Sequence, residues 1–186
     1  MRLGITGAGA TGKSTLLQQC KQDPSFKDYE FLGSVARGVY KEMGFEGEHT
    51  QYVKTPKENY MLQKRILAAK HAQVIGNLDN KNIFTDRILL DHFAYLCVRN
   101  TEIIDNQFFQ SIQKVVKFGI DSYDIIFYCE PFETIEIEGF RDPSKAVQYT
   151  VDAVISSYLE KRSEKSPMVI RLGNDISVEQ RLDIVK

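Results

Sequence analysis

Eight residues near the start of the chain, Gly7-Ala8-Gly9-Ala10-Thr11-Gly12-Lys13-Ser14, restrict its fold more than any other stretch. An apolar run from Leu3 to Thr6 precedes them and reads as a strand; Ser14 to Cys20 follows and reads as a helix. Strand, glycine-rich turn and helix in that order form the G-x-x-x-x-G-K-[ST] loop, whose backbone N–H groups curl around phosphate oxygens. Gly7, Gly9 and Gly12 permit backbone angles that a side chain would block. The following helix adds the positive end of its dipole, Lys13 reaches the β- and γ-phosphates, and the Ser14 hydroxyl is placed to ligate Mg²⁺. With Thr15 at the next helical position, these residues make an expected nucleoside-triphosphate site.

A length of 186 residues suits one domain, 1–186, able to bury roughly 70% of the surface its unfolded chain exposes. The formal net charge is −1, so no global basic field draws the chain to nucleic acid or membrane, although a local basic patch stays open. Cys20, Cys97 and Cys129 are odd in number, lack metal-ligand spacing and lie in or beside apolar stretches. They read as reduced, buried thiols. His49, His71 and His92 are scattered and suggest no metal cluster. The chain opens directly on its first strand, and no apolar run reaches membrane-spanning length, so a cytoplasmic location is expected.

Short strand-like runs alternate with helical ones, which implies an α/β fold with a parallel sheet and right-handed crossovers. Strands are expected at Tyr29 to Leu32, Asn82 to Thr85, Ile125 to Cys129 and Met168 to Leu172. The fourth strand of the chain, Ile125 to Cys129, is the most apolar and should be covered on both faces. Helices are expected from Lys13 to Lys21, Ser34 to Met43, Thr55 to Leu78, Arg87 to Arg99, Asn106 to Phe118, Asp142 to Lys161 and Ser177 to Val185. Thr55-Pro56-Lys57-Glu58 is a capping box with proline at the first helical position. The helix it starts should bury Met61, Leu62, Ile66, Ala69 and Val74. Gly44 to Val53 reads as a loop, and 131–141 as irregular.

Asp86-Arg87 lies directly after the third strand, at the carboxyl end of the sheet where ligands of open α/β folds bind. Asp86 can hold Mg²⁺ or orient an attacking hydroxyl; Arg87 offers paired donors to a phosphoryl group. The same pair also fits a helix N-terminal aspartate beside a solvated arginine. Glu138-Gly139-Phe140-Arg141 follows the fourth strand, where a lid would bring Arg141 to the transferred phosphoryl; a surface ion pair is the alternative. Arg37 follows the second strand. Gln63 can read a base edge by paired hydrogen bonds or be merely solvated. Tyr60, Phe93 and Tyr95 can stack on a base, although aromatics at helical spacing more often belong to a core. Lys57, Lys64, Arg65 and Lys70 read as a solvated face.

Taken in order, Gly7 to Ser14, Ser34-Val35-Ala36-Arg37, Thr85-Asp86-Arg87 with Asp91-His92-Phe93-Ala94-Tyr95, Tyr123 to Tyr128 with Glu130-Pro131, and Glu138 to Arg141 span nearly the whole chain. Together they resemble the small P-loop kinases of the nicotinamide-riboside-kinase-like and thymidylate-kinase-like group. The resemblance implies a three-layer P-loop NTPase fold: a five-stranded parallel sheet of order 2-3-1-4-5, helices on both faces and a short lid at about 131–145. It implies ATP and Mg²⁺, with Lys13, Asp86, Arg87 and Arg141 catalytic, Ser14 and Asp86 on the metal, and Asn174 near the adenine. Arg37, Gln63 and Asp91 are the expected substrate-binding residues. One position departs from the pattern. Many relatives carry an acidic residue three before the arginine that follows the second strand, where a base for the acceptor hydroxyl can sit; here it is Ser34, three before Arg37. Either Asp86 serves both purposes, or the acceptor is already anionic or differently placed.

The leading functional expectation is transfer of the γ-phosphoryl of ATP·Mg to a nucleoside, nucleotide or related ribosyl acceptor. A modified base in DNA is an alternative acceptor, disfavoured by the near-neutral charge. A nucleotide-hydrolysing switch is weakened by the absence of N-K-x-D, because Asn80-Lys81-Asn82-Ile83 fails at its fourth position. A non-catalytic ATP-binding regulatory module is the third class. A homodimer is compatible with the sequence, and no membrane partner is expected.

Overall fold

The computed structural model of the chain describes residues 1–44, 55–100, 105–132, 144–161 and 166–186. Five parallel strands, β1 (Arg2–Thr6), β2 (Glu30–Leu32), β3 (Ile83–Asp86), β4 (Ile125–Cys129) and β5 (Met168–Leu172), form one sheet of order β2-β3-β1-β4-β5. The expected order is therefore observed. Helices α1 (Lys13–Gln22), α2 (Ala36–Glu42), α3 (Pro56–Gly76), α4 (Leu89–Arg99), α5 (Asn106–Asp121), α6 (Lys145–Glu160) and α7 (Val178–Val185) connect and cover the strands.

Strand alternation sorts the core into two layers. Leu3, Ile5, Phe84, Phe127 and Leu172 point to the face covered by α1 and α7, where Leu16, Leu17 and Val185 meet them. Phe84 anchors this layer, with ring centroids 5.7 Å from Phe26 and 6.0 Å from Phe127. Ile126 and Tyr128 point to the opposite face and pack with α4, α5 and α6 through residues such as Leu90, Phe93, Val116 and Val151. Burial on both faces explains why β4 reads as an unbroken apolar run. The register pairs Ile5 with Asp86 and Thr6 with Tyr128, so the chain leaves the ends of β1, β3 and β4 at one level. The connections leave β1 toward β2 and β3 on one side and toward β4 and β5 on the other. This is the strand-order reversal that opens a crevice at the carboxyl edge.

Several local expectations are corrected. α4 begins at Leu89 rather than Arg87, because Arg87 adopts a left-handed φ of 57° that no helix accommodates. α6 is capped by Ser144, whose hydroxyl accepts the Val147 N–H at 3.3 Å, rather than by Asp142-Pro143, which lies outside the described residues. On α3, Met61 is 44% exposed instead of buried, while Lys70, read as solvated, is 0% exposed. The helix turns Leu62, Ile66, Lys70 and Val74 inward at four-residue spacing, so the face rotates away from Met61. Cys20 and Cys129 are buried and Cys97 half-buried, all as free thiols. Among the described residues no helix is long and apolar enough to cross a membrane.

Candidate functional site

The phosphate loop fills the turn from β1 to α1 with the backbone its sequence requires. Gly7 and Gly12 have φ of 141° and 77°, and Ala10 follows at 56°. A side chain at Gly7 would collide with the Cys129 carbonyl, so the loop crosses β4 at backbone distance. The Ala10, Thr11 and Gly12 N–H groups have no acceptor among the described residues. Three orphan donors at the entrance to α1 make a concave cradle that a phosphate oxygen can satisfy. Lys13 is 4% exposed, and its Nζ donates to the Ala8 carbonyl and, at 2.7 Å, to the Thr11 hydroxyl. Burial, with Arg87 nearby, draws its ammonium down to about 8.

Residues far away in the chain hold this loop. The Asp91 carboxylate, fully buried on α4, accepts from the Thr6 hydroxyl at 2.9 Å, the Gly7 N–H at 3.2 Å and the Ile88 N–H at 2.8 Å. Tyr95, one turn further on, accepts the Gly9 N–H at 2.9 Å. Gln148 of α6 donates to the Gly9 carbonyl at 2.6 Å. Arg181 of α7, 0% exposed, donates to the Thr11 and Gly173 carbonyls at 2.6 Å each and stacks 4.4 Å from the Phe132 ring centroid.

The strand end opposite the loop is also braced. Lys70 Nζ donates to the Asp86 carbonyl at 3.0 Å and to Gln73 at 2.8 Å. Arg87 pairs with Asp91 at 3.5 Å and lies 5.7 Å from the Tyr95 ring. A left-handed non-glycine backbone costs on the order of 1–2 kcal/mol and persists only where its surroundings hold it, as these contacts do.

Loop and strand end share one cleft of about 740 Å³, a volume that suits a small-molecule site. Gly9, Ala10, Thr11, Gly12, Lys13, Ser14 and Thr15 line it with Arg37, Gln63, Asp86 and Arg87. Ser14 and Asp86 both line it and offer hard oxygen donors, which fits Mg²⁺; among the described residues no cluster of three His, Cys, Asp or Glu forms a dedicated metal cage. Gln63 is buried, and its amide makes no hydrogen bond among the described residues. Asp91, expected on the substrate side, does not line the cleft: its oxygens are spent under the loop. Asn174 also lies elsewhere, in a depression of about 300 Å³ with Glu130, Asp152 and Arg171. Gly7 and Ala8 form the loop floor. Arg141 and the Glu138 to Phe140 stretch lie outside the described residues.

The structure adds Tyr40, His92, Arg99 and Gln148 to the cleft and Arg181 and Lys70 to its supports. Lys70 had a signal, since it falls on the apolar stripe of its helix. Arg181 had none, a lone arginine 170 positions from the carbonyl it binds. Phe93 is core, as its helical spacing suggested, whereas Tyr95 faces the cleft.

Comparison with known proteins agrees with this architecture. A deoxyadenosine kinase from M. mycoides, solved with the products dCMP and dCDP, superposes with a TM-score of 0.71 at 16% identity, over 100% of this chain and 96% of that one. Thymidylate kinase from Candida albicans matches at 0.64 and 13% identity, over 98% and 88%. NadR in complex with NR matches at 0.65 and 14% identity, over 98% of this chain and 50% of that chain. No curated protein matches. The first two are named as a deoxyadenosine kinase and a thymidylate kinase, within the group the sequence resembles, and at such identities the likeness is one of fold. The family model described as AAA domain matches residues 2–174, and the chain belongs to that family.

Proposed function

We propose that this chain is an ATP-dependent phosphotransferase that moves the γ-phosphoryl of ATP·Mg to a nucleoside, nucleotide or related ribosyl acceptor. The observation that carries the reading is the shared cleft: orphan loop N–H groups and Lys13 on one wall, and Asp86-Arg87 on the other. Phosphoryl transfer needs positioning and charge stabilisation more than covalent help, and these residues offer both.

In this reading the Ala10, Thr11 and Gly12 N–H groups hold the donor phosphates. Lys13 exchanges its loop partners for phosphate oxygens, and Arg87 neutralises charge growing on the transferred group. Ser14 and Asp86 would hold Mg²⁺, which when bound offsets charge on the β- and γ-oxygens. Asp86 also orients the attacking oxygen. Gln63, buried on α3, supplies paired donor and acceptor for a base edge, and Arg141 is the expected lid cation. Asp91 acts as a positioning residue beneath the loop.

The test is ADP release from ATP·Mg, with and without nucleosides, nucleoside monophosphates, nicotinamide riboside or modified-base DNA. Acceptor-dependent release supports the phosphotransferase. Release that ignores every acceptor supports a hydrolysing switch, and no release at all with ATP bound supports a regulatory module.

A further inference from the structure

The cleft carries far more positive charge than its donor half requires. Among the described residues six cationic side chains line it, Lys13, Lys21, Arg37, Lys41, Arg87 and Arg99, against the carboxylate of Asp86. ATP·Mg brings a charge of about −2, which Lys13 and Arg87 match beside the loop. Arg37, Lys41 and Arg99 remain on the wall built by α2 and α4, next to Ser34 and Gln63.

Arg37 and Lys41 stand one turn apart on a seven-residue helix, a like-charge spacing that works against the helix. Neither makes an ion pair among the described residues. Arg99 is fixed: it hydrogen bonds Tyr40 and lies 5.3 Å from the Tyr95 ring centroid. A planar guanidinium held against two cleft tyrosines, with two more cations lining the same cleft, is suited to a phosphate dianion.

Among the described residues the same wall lacks what a neutral acceptor needs. A sugar hydroxyl must lose a proton as it attacks, yet position 34 is serine, and Asp86 is already the candidate metal ligand. His92 lines the cleft with an unpartnered Nε2, but burial, reinforced by Lys70 and Arg87, holds its imidazole well below the ordinary range, so it is a weak proton acceptor.

We infer that the acceptor is a phosphate monoester, a nucleoside 5′-monophosphate or close analogue, whose phosphate lies against Arg37, Lys41 and Arg99; this rests on the phosphotransferase reading above. The second ionisation of such a monoester is at about 6, so its oxygen attacks already deprotonated. The new bond joins that oxygen to the γ-phosphorus as the bond to the bridging oxygen breaks. ADP leaves with the electron pair, and no proton needs removal.

The test uses the full chain with ATP·Mg and matched pairs: thymidine, deoxyadenosine, deoxycytidine, deoxyguanosine and nicotinamide riboside, each against its 5′-monophosphate. At least one monophosphate should exceed its own nucleoside by about 100-fold or more in kcat/KM. Arg37→Gln with Lys41→Gln, two exposed positions, should raise the monophosphate KM about tenfold while the KM for ATP stays within about twofold, and Arg37→Lys should recover part of the loss. An unchanged melting midpoint verifies that the double variant folds. Nucleosides turned over as well as their monophosphates overturn the inference and leave the phosphotransferase standing. A KM change confined to ATP also overturns it. No ADP release with any member of the panel overturns both readings.

Discussion

The two halves of the cleft are built in opposite ways. The donor half is tied from every side: Asp91 and Tyr95 of α4, Gln148 of α6 and Arg181 of α7 each bind a main-chain group in or beside the phosphate loop. In the acceptor half Arg99 leans on Tyr40 and Tyr95, but the side chains of Ser34, Arg37, Lys41 and Gln63 make no hydrogen bond or ion pair with other described residues. A phosphate cradle must hold strained glycines and unpaired N–H groups in place before a ligand arrives, so its supports are permanent. The acceptor wall can leave its charges to water until a ligand replaces it. The contrast implies that substitutions of the loop's supports disturb folding and turnover together, that those of the loop's own ligand groups remove turnover alone, and that those on the acceptor side alter selectivity.

The largest effect that this contrast requires is at Lys13. Lys13→Ala should lower turnover by on the order of 10³-fold or more with far-UV circular dichroism unchanged; wild-type rates would remove the loop from the chemistry. Arg181→Leu should come next. It leaves the buried Thr11 and Gly173 carbonyls unbonded, at a cost of about 3 kcal/mol, or roughly 6–12 °C in melting midpoint, and it should raise the KM for ATP. A midpoint within about 2 °C of wild type would show that the donor half is not held as described. Asp86→Asn should reduce kcat by on the order of 10²-fold if the carboxylate holds Mg²⁺ or the acceptor; unchanged Mg²⁺ dependence and rate would end that role.

A smaller loss is expected at Lys70, whose hydrogen bonds among the described residues go to the Asp86 carbonyl and Gln73. Lys70→Met should cut kcat about tenfold with little change in the KM for ATP, because Asp86 and Arg87 lose their brace while the loop keeps its own. The smallest effect concerns pH. His92 titrates well below 6.5 because it is buried, with Lys70 and Arg87 adding to the shift, so the unfolded chain binds a proton that the folded one refuses. Stability from this group is present above pH 6.5 and declines as pH falls below it. The melting midpoint of His92→Gln should therefore fall less steeply than wild type between pH 6.5 and 5; parallel slopes would refute the assignment.

How much of this was legible depends on the range of the interaction. The Thr55 cap forms as read, with the hydroxyl accepting the Glu58 N–H at 3.2 Å, because caps are decided within four residues; the Glu58 carboxylate accepts from that hydroxyl at 3.0 Å instead of closing the box on the Thr55 N–H. The limits of β4 and β5 were readable from apolar runs bounded by turns. The start of α4 was not: the third strand runs into a left-handed Arg87, a conformation set by Lys70 and Asp91 rather than by neighbours in sequence. Lys70 itself was misread because its charge was weighed above its place on the apolar stripe between Ile66 and Val74. On the site, the phosphate loop and Asp86-Arg87 were visible as motifs. Tyr95 was visible as a stacking candidate and as the end of the Asp91 to Tyr95 string, not as a support of the loop, and Gln148 and Arg181, which reach the loop across 139 and 170 positions, carry no local pattern.

The destination of the γ-phosphoryl of ATP separates transfer from hydrolysis. With γ-³²P-labelled ATP, Mg²⁺ and the acceptor panel, label should appear on an acceptor in step with ADP formation, and Lys13→Ala should abolish the transfer. Label released as inorganic phosphate at one rate with or without acceptor would contradict it.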